Sequence, residues 1–130
     1  MSERAILRTP LGRAVGLGSA KEGVAHWWAQ RLTAVALVPL LIWLVAALVA
    51  HVGAGRAAAL AWLASPLTAI TLVLLLIAGC YHMALGVQVV IEDYVHGEGR
   101  KLATLILNRF IAFVVAVAGL FAVLRIAMGG

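Results

Sequence analysis

Long apolar blocks alternate with short polar stretches along this chain. Leu32–Ala50 runs for nineteen residues without a charge, and Leu67–Ile91 for twenty-five without Asp, Glu, Lys or Arg. A third block covers about 102–124 and is interrupted by Asn108 and Arg109. A helix needs about 20 apolar residues to cross a hydrocarbon layer roughly 30 Å thick. Each block meets that length, and none alternates as a barrel strand would. A helix also satisfies its own backbone hydrogen bonds in lipid. The pattern predicts an all-α integral membrane fold with three transmembrane helices at about 30–50, 66–94 and 102–125. Residues 1–130 form one anchor domain, with 1–29 as a cytoplasmic N-terminal arm.

Local signals refine the boundaries. Ser65-Pro66 precedes the second block, serine as a cap and proline at the first helical position. Pro39 lies inside the first block, where a kink is expected. Phe110–Leu124 alone is only fifteen residues, so the third span needs its polar end. Arg109 is then expected just inside the headgroup boundary, reaching outward.

Composition supports lipid as the solvent. The chain is 65% hydrophobic and 12% charged over 130 residues, against about 45–50% apolar and about 25% charged in soluble domains. The net charge is +5, but the basic residues sit between apolar blocks and form no stripe. Nucleic-acid binding is thereby excluded. Their placement sets orientation instead. Arg4, Arg8, Arg13, Lys21 and Arg31 precede or open the first span. Arg56 lies alone in the first loop, and Arg100, Lys101 and Arg109 cluster at the second loop and its border. Positive residues favour the cytoplasm, so the N-terminus and second loop are expected inside, and the first loop and C-terminus outside. Trp27, Trp28 and Trp62 fit interfacial belts. The first thirty residues lack a signal-peptide core and read as a mature arm. Richness in Ala, Val and Leu points to a bacterial cytoplasmic (inner) membrane.

The single cysteine, Cys80, excludes an internal disulfide, and there is no Cys-x-x-Cys-His for covalent haem. Cys80 reads as a small buried hydrophobe. No Walker loop, dinucleotide motif or Ser/His/Asp set appears. Nothing forms a self-contained active site, so the chain is not by itself assigned as an enzyme.

Polar groups within a span are costly and often functional. His82 stands eleven residues before Asp93, about 16 Å along a helix. Gly79 and Gly86 flank it on the same face. One reading is a flat slot in which a planar macrocycle lies with its iron on the imidazole. The other is a glycine-lined helix contact with His82 hydrogen-bonded across it. A single histidine supplies one axial ligand, so a six-coordinate haem would need a second chain.

Glu92-Asp93-Tyr94-Val95-His96 closes the second span. A phenol beside a carboxylate at the surface suits quinone reduction, which needs a donor to the carbonyl and a proton route. On composition alone, an ordinary interfacial tyrosine beside solvated acids is the stronger reading. Arg31 follows His26 by five residues at the mouth of the first span and suits a haem propionate or a lipid phosphate. His51 and His96, at loop borders, read as solvated.

Two motifs carry a resemblance. The pattern His82-x3-Gly86-x-Gln88-x4-Asp93-Tyr94-Val95, with Gly23-x2-His26 leading to Arg31, resembles the D-type cytochrome b anchor subunits of succinate dehydrogenase (complex II). The likeness covers nearly the whole chain. It implies His82 as an axial ligand of haem b, so that the iron is the metal held. It implies Tyr94 and Asp93 at the ubiquinone site, and Arg31 and His26 near the haem propionates or quinone. The implied partners are a flavoprotein carrying FAD, an iron–sulfur subunit with its clusters, and a C-type cytochrome b anchor sharing the haem. Electrons would pass from succinate to ubiquinone, linking the tricarboxylic acid cycle to the respiratory chain. Two other classes remain open on the residues alone. One is a small proton-coupled transporter or channel subunit using His82 and Asp93, and the other is a purely structural anchor without haem.

Overall fold

A computed structural model describes residues 22–129. The arginines of the expected arm, Arg4, Arg8 and Arg13, and Lys21 lie outside them. The described residues form four helices: α1 (Glu22–His51), α2 (Gly55–Ala64), α3 (Pro66–Tyr94) and α4 (Glu98–Ala127). Among them there is no strand.

Among the described residues three helices are long and apolar enough to cross a membrane: Gly23–His51, Pro66–Tyr94 and Glu98–Ala127. At 1.5 Å per residue, each is roughly 44 Å long. This matches a bilayer with its headgroup regions, about 40–45 Å, rather than the hydrocarbon core alone. The helices therefore outrun their apolar blocks. The helix α1 begins at Glu22, well before the span expected from about residue 30. The helix α4 begins at Glu98 rather than near 102. Charged residues such as Arg31, Arg100 and Lys101 are good helix formers, so polarity ends the lipid-facing segment without ending the helix. The chain is a multi-pass membrane protein.

The helix α1 runs on through Pro39. At the far end of α1 the chain turns at Gly53 and Gly55, both at φ +79°, a conformation open to glycine at little cost. Between the turn and α3 lies α2, ten residues that the hydropathy pattern gave only as loop. It rests on α3 and α4. Its Trp62 stacks on His51, with ring centroids 4.6 Å apart, and lies 6.3 Å from Trp43. His51 also donates from Nδ1 to the Ala47 carbonyl at 2.8 Å and is half-buried. It is therefore packed, and the expectation of a solvated His51 is corrected. Pro66 opens α3 as expected. The Ser65 hydroxyl makes no cap bond to the α3 backbone. It reaches the Trp62 carbonyl at 2.9 Å and the Thr68 hydroxyl at 2.7 Å.

The turn between α3 and α4 is short, Val95-His96-Gly97, with Gly97 at φ +95°. Lys101 Nζ donates to the Glu92 carbonyl at 2.8 Å. A cation on the free carbonyls of a helix end satisfies acceptors that the helix leaves over. This ties the start of α4 to the end of α3.

The helix α3 is central. On one side α1 runs antiparallel to it, with Gln30 against Gly86 and Leu37 against Gly79. On another, α4 packs with Gly119 against Leu76, while Asn108 Nδ2 donates to the Ala84 carbonyl at 2.9 Å. Little is buried inside the chain: Ala69, Leu85, Ile91 and Ala112 among the apolar residues, with Thr68. Large residues such as Val35, Ile42, Leu67, Phe113 and Phe121 face outward. An outward apolar surface of this extent needs lipid or another chain against it.

Candidate functional site

His82 is the seventeenth residue of the twenty-nine in α3, within about 3 Å of the helix midpoint. It is half-buried and faces α1. Residues His26, Gln30, Thr33 and Leu37 repeat at helical spacing and make one face of α1. That face lies on Gly79, His82 and Gly86. If a Cβ were added, Leu37 would lie 3.9 Å from it at Gly79 and Gln30 3.6 Å from it at Gly86. The glycine-flanked face of His82 is thus covered by α1 within this chain, rather than left as an open slot.

Both imidazole nitrogens have neighbours. The Thr33 hydroxyl lies 2.9 Å from His82 Nδ1, and the Gln30 amide nitrogen lies 3.4 Å from Nε2. Thr33 also donates back along α1 to the Ala29 carbonyl at 2.7 Å, with the Gln30 carbonyl at 3.1 Å. The Gln30 contact is at the long limit for a hydrogen bond. The Gln30 carbonyl oxygen, Oε1, is buried with no partner, which costs about 1–3 kcal/mol.

An axial haem ligand needs a neutral imidazole with a lone pair on one nitrogen and its other N–H held by an acceptor. At His82 the Thr33 oxygen stands where it can accept from an Nδ1–H, an arrangement that leaves the Nε2 lone pair for a ligand. The space beside Nε2 is held by Gln30, whose unsatisfied oxygen makes this side chain cheap to displace. The donor set therefore fits one axial ligand.

The remaining expected residues fall in two further places. Asp93 and Tyr94 form the last turn of α3, both exposed, with Tyr94 78% exposed. Along the helix they stand about 16–18 Å from His82. Asp93 returns to within about 20° of the same face. Arg31 points away from the His82 face, with its guanidinium carbon 5.5 Å from the centroid of the Trp27 ring. Trp27 in turn meets Trp28 edge-to-face at 5.1 Å. His26 and Arg31 are thus not brought together: five residues on a helix are about 140° apart.

His26 lies instead in a cleft of about 570 Å³ between the start of α1, α3 and α4. Gln88, Tyr81, Cys80 and Arg109 share its walls with Leu85 and Phe113. His26 Nε2 is buried without a partner there. Arg109 is eleven residues into α4, about 16 Å from its start. Arg109 is exposed and also lines this cleft.

Thr33 and Gln30 were not singled out from the sequence, nor were the Asn108 and Lys101 contacts. A signal was present: the spacing of Gln30, Thr33 and Leu37 complements that of Gly79, His82 and Gly86. Matching the two faces requires the register of α1 on α3, which hydropathy does not carry.

Comparison with known proteins agrees with this architecture. The family described as succinate dehydrogenase/fumarate reductase transmembrane subunit matches residues 6–116. The chain is 34% identical over 121 residues to the succinate dehydrogenase hydrophobic membrane anchor subunit of Paracoccus denitrificans, covering 93% of each. It is 34% identical over 116 residues to the subunit of the same name from Rickettsia bellii, covering 89% of this chain and 93% of that one. Against the succinate dehydrogenase membrane anchor subunit of Reclinomonas americana it is 30% identical over 95 residues, covering 71% and 79%. No solved structure gives a significant match. With the match spanning all three long helices into α4 and relatives of the same length, the chain belongs to the succinate dehydrogenase/fumarate reductase transmembrane subunit family.

Proposed function

We propose that this chain is the D-type membrane anchor of a bacterial succinate dehydrogenase, contributing one axial ligand to haem b and a donor to ubiquinone. The observation that carries the haem half is His82. It sits near the midpoint of a membrane-length helix, with Nδ1 beside the Thr33 hydroxyl and Nε2 met only by a loosely bonded amide. Haem b, when bound, supplies one-electron storage between the iron–sulfur centres and the quinone.

Tyr94 and Asp93 serve the quinone end. The Tyr94 hydroxyl donates to a quinone carbonyl, and Asp93 relays a proton from water. Their exposure on this chain accords with a pocket completed by other subunits. Arg31 and the unpartnered His26 supply donors for carboxylates such as haem propionates, from different faces of α1. The partners are the flavoprotein with FAD, the iron–sulfur subunit, a C-type anchor giving the second axial ligand, and lipid. Electrons then pass from succinate to ubiquinone at a bacterial cytoplasmic membrane, with the N-terminus and the α3–α4 turn on the cytoplasmic side. This chain holds no catalytic residue of succinate oxidation.

A purely structural anchor is the second reading. It is favoured by the way Thr33 and Gln30 between them attend both nitrogens of His82 without any cofactor. The test is a reduced-minus-oxidised spectrum of the complex purified from its native membrane, beside a His82→Leu variant. A b-type band that falls in the variant supports the haem anchor. A complex without such a band leaves the structural anchor.

A further inference from the structure

The hydrogen-bond geometry around Thr33 determines which nitrogen of His82 is free. A threonine hydroxyl has one proton and two lone pairs. Thr33 Oγ1 lies 2.7 Å from the Ala29 carbonyl oxygen. Two oxygens at that distance with no hydrogen between them would set lone pair against lone pair, so the hydroxyl proton points at Ala29. What remains for His82 Nδ1, 2.9 Å away, is a lone pair. Nδ1 must then carry the proton and donate to Thr33, which leaves Nε2 as the nitrogen open to an incoming group. The Gln30 amide, 3.4 Å from Nε2, agrees: an N–H on Gln30 faces a lone pair there.

We infer that Thr33 is a positioning residue that fixes the Nδ1–H tautomer of His82, presenting Nε2 as the ligand atom, while Gln30 holds that atom's place until it is displaced. The inference rests on the haem reading above and names a residue through which the ligand is set. An N–H held by an acceptor gains imidazolate character. The imidazole becomes a stronger donor, which favours ferric over ferrous iron and lowers the midpoint potential. Such outer contacts are typically worth 10–100-fold in affinity for the group held. Thr33 contributes here because its own back-bond to α1 leaves it nothing else to offer. Gln30 opposes ligation, because its amide occupies the same lone pair.

The experiment uses the whole complex purified from its native membrane, with haem measured per assembled complex so that assembly losses do not count. Four variants are compared: Thr33→Val, Thr33→Ser, Gln30→Ala and His82→Leu. Haem loss into excess detergent and the midpoint potential are followed for each. Thr33→Val keeps the side-chain shape and removes the acceptor. It is expected to lose haem about 10-fold faster or more and to shift the potential upward. Thr33→Ser should restore both values. Gln30→Ala should retain haem at least as well as the unaltered complex. The inference is overturned if Thr33→Val matches the unaltered complex in both readouts while His82→Leu strips the haem. It is also overturned if Gln30→Ala loses haem as Thr33→Val does, because the effect would then be general packing of α1 on α3. Haem retained with an unchanged spectrum in His82→Leu would overturn the ligand assignment itself, and this inference with it.

Discussion

Gly119 is the tightest approach of α4 to α3, and replacing it with alanine tests that packing. A Cβ on Gly119 would lie 2.9 Å from Leu76 Cδ2 and 3.1 Å from Cδ1. Carbon atoms prefer about 3.5–4.0 Å, so Leu76 must withdraw by about 0.5–1 Å or α4 must move out. Overpacking of this kind costs about 1–3 kcal/mol. Against it stands about 0.5–1 kcal/mol gained by replacing a helical glycine with alanine. The net expectation for Gly119→Ala is a loss of about 0–2 kcal/mol. The sharper quantity is the coupling to Leu76. In a Leu76→Ala background the clashing methyls are gone, and Gly119→Ala should become neutral or stabilising. The two backgrounds should differ by about 1–3 kcal/mol, above the roughly 0.3–0.5 kcal/mol within which independent sites add. Unfolding in mixed micelles, followed by tryptophan fluorescence, gives all four corners of the cycle. Equal effects of Gly119→Ala in both backgrounds would refute the close approach, as would stabilisation with Leu76 intact.

Two other outcomes follow from the same geometry. Tyr94→Phe should lower quinone reduction about 10-fold or more, the worth of one lost hydrogen bond of about 1.5 kcal/mol. Succinate oxidation by soluble dyes should stay unchanged, and undiminished quinone reduction would remove Tyr94 from the site. Asn108→Leu removes the donor to the Ala84 carbonyl, whose other lone pair keeps its helical partner. The loss should stay near the 0.6–1.7 kcal/mol measured for such contacts in membranes. A cost of several kcal/mol in the same micelle assay would mean that Asn108 has a further role.

What the sequence made legible follows from what each signal measures. Hydropathy marks the segment that lipid will accept, and it located all three spans. It marks apolar segments and not helix ends: α1 and α4 begin earlier, at Glu22 and Glu98, because polar residues such as Arg100 and Lys101 leave the apolar zone while remaining helical. The boundaries of α3 came out as 66 and 94 because backbone chemistry marks them: Pro66 at one end and, after Val95, Gly97 at the other. The helix α2 stayed hidden, since ten mostly apolar residues after two glycines look like any interfacial loop. The site divides in the same way. The separation of His82, Asp93 and Tyr94 was legible because they share one helix, whose spacing fixes it. Thr33 and Gln30 were not, because their meaning depends on α1 lying antiparallel on the glycines of α3. Spacing left an open slot and a glycine-lined helix contact side by side for the same reason: small residues invite a neighbour, and here the neighbour is this chain's own α1.

The three long helices therefore do different work. α4 is fastened to α3 by Lys101 at one end, Asn108 midway and Gly119 further on, and it carries none of the proposed ligand-binding residues. α1 and α3 share the proposed functional face, and beside the packing of Leu37 on Gly79 their contact holds a hydroxyl, an amide and an imidazole. Apolar packing alone gives helices in lipid little reason to choose a register, since lipid tails are as apolar as leucine. A Thr33–His82 hydrogen bond does give one, because sliding α1 by a turn would leave a polar group unpaired in hydrocarbon. The contact that presents Nε2 of His82 is then also one that sets α1 on α3. That leaves Tyr94 and most of the large apolar side chains outward. Among the described residues the buried apolar ones are Ala69, Leu85, Ile91 and Ala112, so the proposed ligand geometry would be held between α1 and α3, while lipid or another chain must cover the rest.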